Sequence, residues 1–198
     1  MIIRPFNLDT DMERVVALYC ACFAEPPWFE RFDSAELEAE FLEIFSWSDA
    51  VFLVETDESS VVHGAAIGFD VCHKADVCAL IPTRDRNSFY VAELFVDPAT
   101  RARGICTRLN EAMLRIAQAS GYSRVSVRTS VLQLAIQHLF VEKLGCQIVA
   151  RQEVTSTKWI DDEEQQVPDT RVLMTGEIPD YAKRDREHED NMYRGCYR

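Results

Sequence analysis

The chain has 198 residues, is 47% hydrophobic and carries a formal net charge of −12 at pH 7, enough length and apolar content for one substantial core. So acidic a balance argues against nucleic acid or an anionic membrane as partner, since both select clustered lysine and arginine, and it suits a cationic small molecule. No apolar run approaches the roughly 20 residues of a membrane helix, and the N-terminus lacks a basic-then-apolar leader, so a soluble, cytoplasmic protein is expected.

In chain order, Ile2-Ile-Arg-Pro5 reads as a first strand. Thr10-x-x-Glu13 reads as a capping box for a helix whose apolar positions are Met12, Val15, Val16, Tyr19, Cys22 and Phe23. Pro26-Pro27 breaks that helix, and Asp33 and Glu36 suit the start of a second, with Leu37, Phe41, Ile44 and Phe45 on one side. Strands over 51–55 and 61–69 flank the polar turn Asp57-Glu-Ser-Ser60, as in a hairpin. A loop is expected over 72–87. The run Phe89-Tyr-Val-Ala-Glu-Leu-Phe-Val96 is a strand apolar enough to be buried on both faces, with Glu93 in its middle. Strand alternation puts Tyr90, three positions earlier, on the opposite face from Glu93. Asp97-Pro98 ends the strand, and a helix opens near Gly104 with Leu109, Ala112, Met113, Ile116 and Ala117 as its buried stripe and Gly121 as its stop. A strand over 124–128 and a helical stripe of Leu132, Ala135, Ile136, Leu139 and Phe140, closed by Gly145, come next. A strand pair over 154–159 and 171–175 surrounds the acidic loop Asp161-Asp-Glu-Glu164. One domain over 1–178 and a charge-dense, mobile tail over 179–198 are expected. Seven cysteines, an odd number without paired spacing, read as free thiols. His63, Cys72, His73 and Cys78 lie close in sequence but lack a ligand-pair spacing, so no metal site is expected.

The helix that opens at Gly104 carries the clearest chemistry. Its first N–H groups have no intrahelical acceptor and point out of its positive end, which binds anions. Gly104 lets the backbone approach a ligand, Arg101 and Arg103 bring positive charge, and Thr107 offers a hydroxyl. The Gly-x-Gly-x-x-Gly and Gly-x-Ser-x-Gly patterns are absent, which removes the cue for a dinucleotide fold or a nucleophile-elbow hydrolase.

Glu93-Leu-Phe-Val-Asp-Pro98 followed by Arg101-x-x-Gly104-x-Cys106 resembles the acetyl-CoA-binding motif of the GNAT family of N-acetyltransferases. Arg101 and Gly104 match the motif, and Cys106 stands where the family usually has Gly or Ala. The resemblance implies an α+β fold, a mixed, mostly antiparallel central sheet flanked by helices. It implies acetyl-CoA (coenzyme A) as cofactor, with Leu94, Phe95 and Val96 along the strand and Arg101, Arg103, Gly104, Ile105, Cys106 and Thr107 around the helix start as its contacts. The implied reaction is direct attack of a primary amine, from a small, cationic acceptor, on the thioester. A homodimer is compatible with the resemblance. The alternative is an acyl-CoA-binding regulatory or structural module without turnover.

Amine acetylation needs a base, and Glu93 is the candidate, because a carboxylate in an apolar strand must be paired, neutralised or exposed to a cavity. Pairing with an arginine or capping of backbone groups is the structural alternative. The tyrosine that family members use to protonate the departing thiolate is missing, because its slot holds Val141 beside Phe140. Either the thiolate leaves without a protein acid, His138 substitutes, or turnover is lost. Acceptor contacts are expected from Trp28, Glu30 and Phe32, whose aromatic and acidic character suits an amine, unless that segment is an aromatic lid on the core.

Overall fold

The computed structural model describes residues 1–181, 183 and 185. Strand β1 (Ile2–Pro5) leads into helix α1 (Leu8–Phe23), which starts where the Asn7 side chain accepts from the Asp9 N–H at 2.9 Å. The expected Thr10 capping box therefore does not form. Thr10 lies within the first turn with its hydroxyl on Asp11, because Asn7 is extended ahead of it and is at least as good a cap as threonine. Helix α2 (Ser34–Phe45) does start as expected, the Asp33 carboxylate accepting from the Ala35 and Glu36 N–H groups at 2.9 and 3.0 Å.

Strands β2 (Val51–Thr56) and β3 (Val62–Asp70) form the expected hairpin. Asp57 holds its turn by accepting from the Ser59 and Val61 N–H groups. Helix α3 (Ala75–Leu80) replaces the loop expected there; it buries only Val77, so its sequence carries no apolar stripe. Next come β4 (Phe89–Val96), α4 (Ile105–Ala119) and β5 (Arg124–Ser130). Helix α5 (Leu134–Gln137) widens into a π turn over His138–Lys143, and β6 (Gln147–Ile160) and β7 (Glu163–Glu177) complete the fold.

The seven strands form one mixed sheet in the order β1-β2-β3-β4-β5-β7-β6. All neighbours are antiparallel except β4 and β5. Helices α1 and α2 cover one face over Phe41, Phe52, Ile67 and Phe69; α4 and α5 cover the other over Phe89, Leu109, Met113 and Phe140. Burying each of these large side chains stabilises the fold by about 1.5–3 kcal/mol.

The contact between β3 and β4 has no room to spare. A Cβ on Gly68 would stand 2.4 Å from the Phe89 ring and 2.8 Å from the Tyr90 carbonyl oxygen. Gly68→Ala is therefore expected to destabilise the protein by about 1–3 kcal/mol in urea unfolding, and unchanged stability would show that the two strands separate at little cost.

The β6–β7 hairpin is much longer than the strands expected over 154–159 and 171–175. Its turn is only Asp161-Asp162, both at positive φ (53° and 63°), and Glu163 and Glu164 already pair with Ile160 and Trp159. Pro168 is tolerated because β7 pairs there with β6 alone; β5 joins it only from Arg171 onward. At the start of the segment expected as a tail, Tyr181 is buried beside α4, with the Arg115 guanidinium 4.6 Å from its ring centroid. The rest of that segment, apart from residues 183 and 185, lies outside the described residues. Among the described residues no helix is long and apolar enough to cross a membrane.

Candidate active site

Strands β4 and β5 run side by side only from Phe89 to Val91 and from Val125 to Val127. Beyond that β4 stays with β3 and β5 stays with β7, so the two part and leave the edge of β4 over 92–96 open. A bulge sits at the parting point, where Ile67 faces Glu93 but Gly68 faces Val91, so Ala92 is the extra residue. The bulge resets the alternation of β4. Tyr90 and Phe95 both lie in the core under α1 and α2, and Glu93 reaches the same side, near Tyr19 and Glu30. The expectation that Tyr90 faces away from Glu93 is thereby corrected: one inserted residue moves the two side chains to a shared face.

The loop after β4 is shaped by its own backbone. Asp97 turns it by accepting from the Ala99 N–H at 3.0 Å, Ala102 and Gly104 have positive φ (62° and 76°), and α4 begins without a side-chain cap. The free N–H groups at this helix start face the same cavity as the open edge of β4, since Gly104, Ile105, Cys106 and Thr107 all line it. Burial pushes the Cys106 thiol up to about 11, so it stands neutral at the helix start near pH 7. Arg101 is tethered at the rim, donating to Glu25 at 2.6 Å and to the Val96 carbonyl at 3.3 Å.

A brace from the sheet holds this loop. Glu55, fully buried on β2, accepts from Arg108 Nε at 3.2 Å and more closely from its Nη2, while Arg108 Nη1 donates to the Arg103 carbonyl at 2.8 Å. Arg103 thus contributes a fixed carbonyl, and its side chain is not among those lining the cavity. Glu55→Gln should raise the dissociation constant for acetyl-CoA about tenfold by weakening a charge-assisted contact. Titration calorimetry reads this, and unchanged affinity would show that the loop keeps its shape without the brace.

The cavity encloses about 910 Å³ and extends from this loop to the space under the α1–α2 connection. Glu93 is half-buried against it and makes no side-chain hydrogen bond or ion pair among the described residues. Burial pushes its carboxyl up to about 8; the carboxylates of Glu40 and Glu30 add to the rise, and Lys74 and Arg171 oppose it. Tyr90 lies close by, its phenol pushed up to about 12 by burial. On the far side of the cavity Trp28 and Glu30 form part of the wall. The segment carrying them is clamped to the β6–β7 hairpin: Lys158 Nζ donates to the Pro27 carbonyl at 2.5 Å, and the Trp159 N–H donates to that of Phe29 at 2.6 Å. Burial raises the Glu30 carboxyl above its ordinary value, against the pull of Arg171.

The cavity thus gathers Glu93, His138, Leu94, Phe95, Val96, Arg101, Gly104, Ile105, Cys106, Thr107, Trp28 and Glu30. Phe32 is placed elsewhere. Its ring meets Tyr19 and Phe23 edge-on at 5.1 and 5.9 Å, which makes it a packing residue under the segment it belongs to. Val141 also points elsewhere, packing into the core beneath α4, while Phe140 lines the cavity. Sequence reasoning missed Arg128 on β5 and Arg171 on β7, which line the cavity together with Trp28 and Glu30. Alternation along β5 could have set Arg128 opposite Val127, but nothing local says what that face would meet.

A family model for the Acetyltransferase (GNAT) family matches residues 12–146. Among solved structures, the fold is similar to that of a ribosomal-protein-alanine N-acetyltransferase from Brucella melitensis (TM-score 0.67, 16% identity, covering 89% of this chain and 99% of that one). It is also similar to a GNAT superfamily phosphinothricin acetyltransferase from Sinorhizobium meliloti in complex with AcCoA (TM-score 0.65, 16% identity, covering 89% and 88%). An N-acetyltransferase from Staphylococcus aureus Mu50 aligns with a TM-score of 0.65 at 16% identity, covering 90% and 98%. No curated protein matches the chain in sequence. At these identities the structural likeness shows the fold, and the family match extends over more than half of the chain. With its parted β4 and β5, its bulge and its uncapped helix at Gly104, the chain belongs to the GNAT family of acetyltransferases, which use acetyl-CoA.

Proposed function

We propose that the protein transfers the acetyl group of acetyl-CoA to a primary amine of a small molecule, with Glu93 as the base. The observation that carries this reading is a carboxyl with no hydrogen-bond or ion-pair partner among the described residues, pushed up to about 8, at the point where β4 and β5 part, in one cavity with the Gly104 loop. The first N–H groups of α4, with Arg101 and Thr107 at the rim, would hold the pyrophosphate of acetyl-CoA. The open edge of β4 at Leu94, Phe95 and Val96 would take the rest of the molecule as an added strand.

The acceptor reaches the protein as an ammonium ion. Glu93, ionised, takes one proton from it, directly or through water. The nitrogen lone pair attacks the thioester carbon, a C–N bond forms, and the carbonyl oxygen becomes an oxyanion. As the oxyanion collapses the C–S bond breaks, and its electron pair leaves on sulfur. The nitrogen sheds its second proton and the sulfur gains one, so the products are an amide, free coenzyme A and one proton held on Glu93. His138 is the donor to sulfur in this reading: it lines the cavity and is solvent-exposed at the first residue of the π turn, where water can recharge it.

The placement of Val141 favours the second reading, an acyl-CoA-binding module without turnover, because no tyrosine hydroxyl comes from that position. A thiolate whose conjugate acid has a pKa of about 8.5 is nevertheless a fair leaving group near neutrality. Free-thiol release from acetyl-CoA over a broad amine panel separates the two. Amine-dependent release is expected, and binding of acetyl-CoA with no release from any amine would leave the module. The free thiols Cys20, Cys22, Cys72, Cys78, Cys106 and Cys146 suit a reducing compartment such as the cytoplasm.

A further inference from the structure

The acceptor end of the cavity is not simply acidic, although the chain is. Three neighbouring strands turn charged side chains to one face of the sheet. Glu93 comes from β4, Arg128 from β5, one residue after Val127 of the opposite core, and Arg171 from β7, two residues before Leu173 of the same core. All three line the cavity together with Trp28, Glu30 and Asp76.

Both guanidinium groups are substantially buried, with side chains 27% and 19% exposed, and both are held in place. Arg171 lies 4.6 Å from the Trp28 ring centroid, pairs through Nε with Asp169 at 2.9 Å, donates to Ser156 at 3.1 Å and stands 3.7 Å from Glu30. Arg128 pairs through Nη1 with Asp76 at 2.9 Å and donates more weakly to Gln152 at 3.3 Å. Each guanidinium has five N–H donors in a planar fork, so a paired arginine still offers donors to a ligand. Contact with the Trp28 ring also restrains the orientation of Arg171.

A simple cation makes no use of the N–H donors that two oriented arginines keep free in its own binding chamber. A molecule with an amine at one end and a carboxylate at the other uses both signs. We propose that the acceptor is a free amino acid, bound as a zwitterion, with its amine at Glu93 and its carboxylate at Arg128 and Arg171. This rests on the acetyl-transfer reading above and replaces the cationic acceptor expected from net charge with one matched to the cavity.

The test is free-thiol release from acetyl-CoA with matched triplets: an amino acid, its amide, and the amine that lacks the carboxylate. The triplets cover aliphatic, aromatic, basic and acidic side chains, and a peptide amide is run beside them. The highest kcat/KM should belong to a free amino acid, about tenfold or more above its amide and its amine. Arg128→Gln and Arg171→Lys should each cut that ratio toward one, mainly through KM, while calorimetry shows acetyl-CoA still bound. Arg171→Lys keeps a positive charge opposite Asp169, and the wild-type triplets decide the matter even if a variant does not fold. An amine, amide or peptide that matches or exceeds every amino acid overturns the proposal while leaving acetyl transfer intact. A ratio indifferent to both variants removes the arginines from carboxylate binding. Release from no amine at all overturns the parent reading and this one with it.

Discussion

Glu93→Gln is expected to lower kcat by about a hundred- to ten-thousandfold at pH 8, the range that a positioned base contributes. The wild-type rate should climb with pH and level off above about 8, because the carboxylate is the working form and burial has raised its pKa to that region. In the glutamine variant that limb disappears, leaving only the ionisation of the acceptor itself. Stability gives a second readout with a definite sign. Between the ordinary value of 4.5 and about 8 the folded state binds more protons at this site than the unfolded chain, so wild-type stability falls as pH rises through that window. Glutamine has nothing to titrate. Its stability relative to wild type should therefore grow from pH 5 to pH 9 in urea unfolding. A variant with the wild-type pH–rate profile would remove Glu93 from the chemistry.

Gly104→Val should weaken acetyl-CoA binding strongly while leaving the sheet intact. Gly104 sits at φ 76°, where a β-branched residue is strained, and its Cβ would stand 3.1 Å from Arg108 Nη1, an atom already committed to the Arg103 carbonyl. The side chain would also enter the space over the first N–H groups of α4. The dissociation constant should rise on the order of a hundredfold, equivalent to about 2.7 kcal/mol, with a smaller loss in unfolding free energy. Wild-type affinity by calorimetry would place the anion site elsewhere.

The turn and helix that open at Gly104 could be read from the sequence because their signals are local. Pro98 ends an apolar run, Gly104 opens a helix, and Leu109, Met113 and Ala117 mark its buried stripe, all within about 30 residues. The bulge at Ala92 could not be read, since a bulge is a register between two strands and β4 alone does not record it. The length of the β6–β7 hairpin was hidden for a related reason. Its outer part belongs to a two-stranded ribbon with no third strand beside it, so it shows no strong apolar alternation and even admits Pro168. Val141 was matched to the tyrosine slot by counting back from Lys143 along the sequence pattern. Along the π turn over His138–Lys143, Phe140 is fully buried where the core meets the cavity wall, and Val141 is half-buried against the same core without lining the cavity. The proposed acceptor end gathers Trp28, Glu93, Arg128 and Arg171, which only the folded sheet and its clamped roof bring together. Net charge pointed to a cationic acceptor, and a sum over the whole chain does not register that Arg128 stands beside Asp76 and Arg171 beside Asp169 and Glu30.

The most direct test of the account follows an isotopically labelled acetyl group from acetyl-CoA to the acceptor by mass spectrometry while free thiol is counted in parallel. Label on the acceptor nitrogen in equal amount to the thiol, and abolished or nearly so in Glu93→Gln, is the predicted result. Tight binding of acetyl-CoA with no label on any amine, or thiol release with the label left in free acetate, would contradict it.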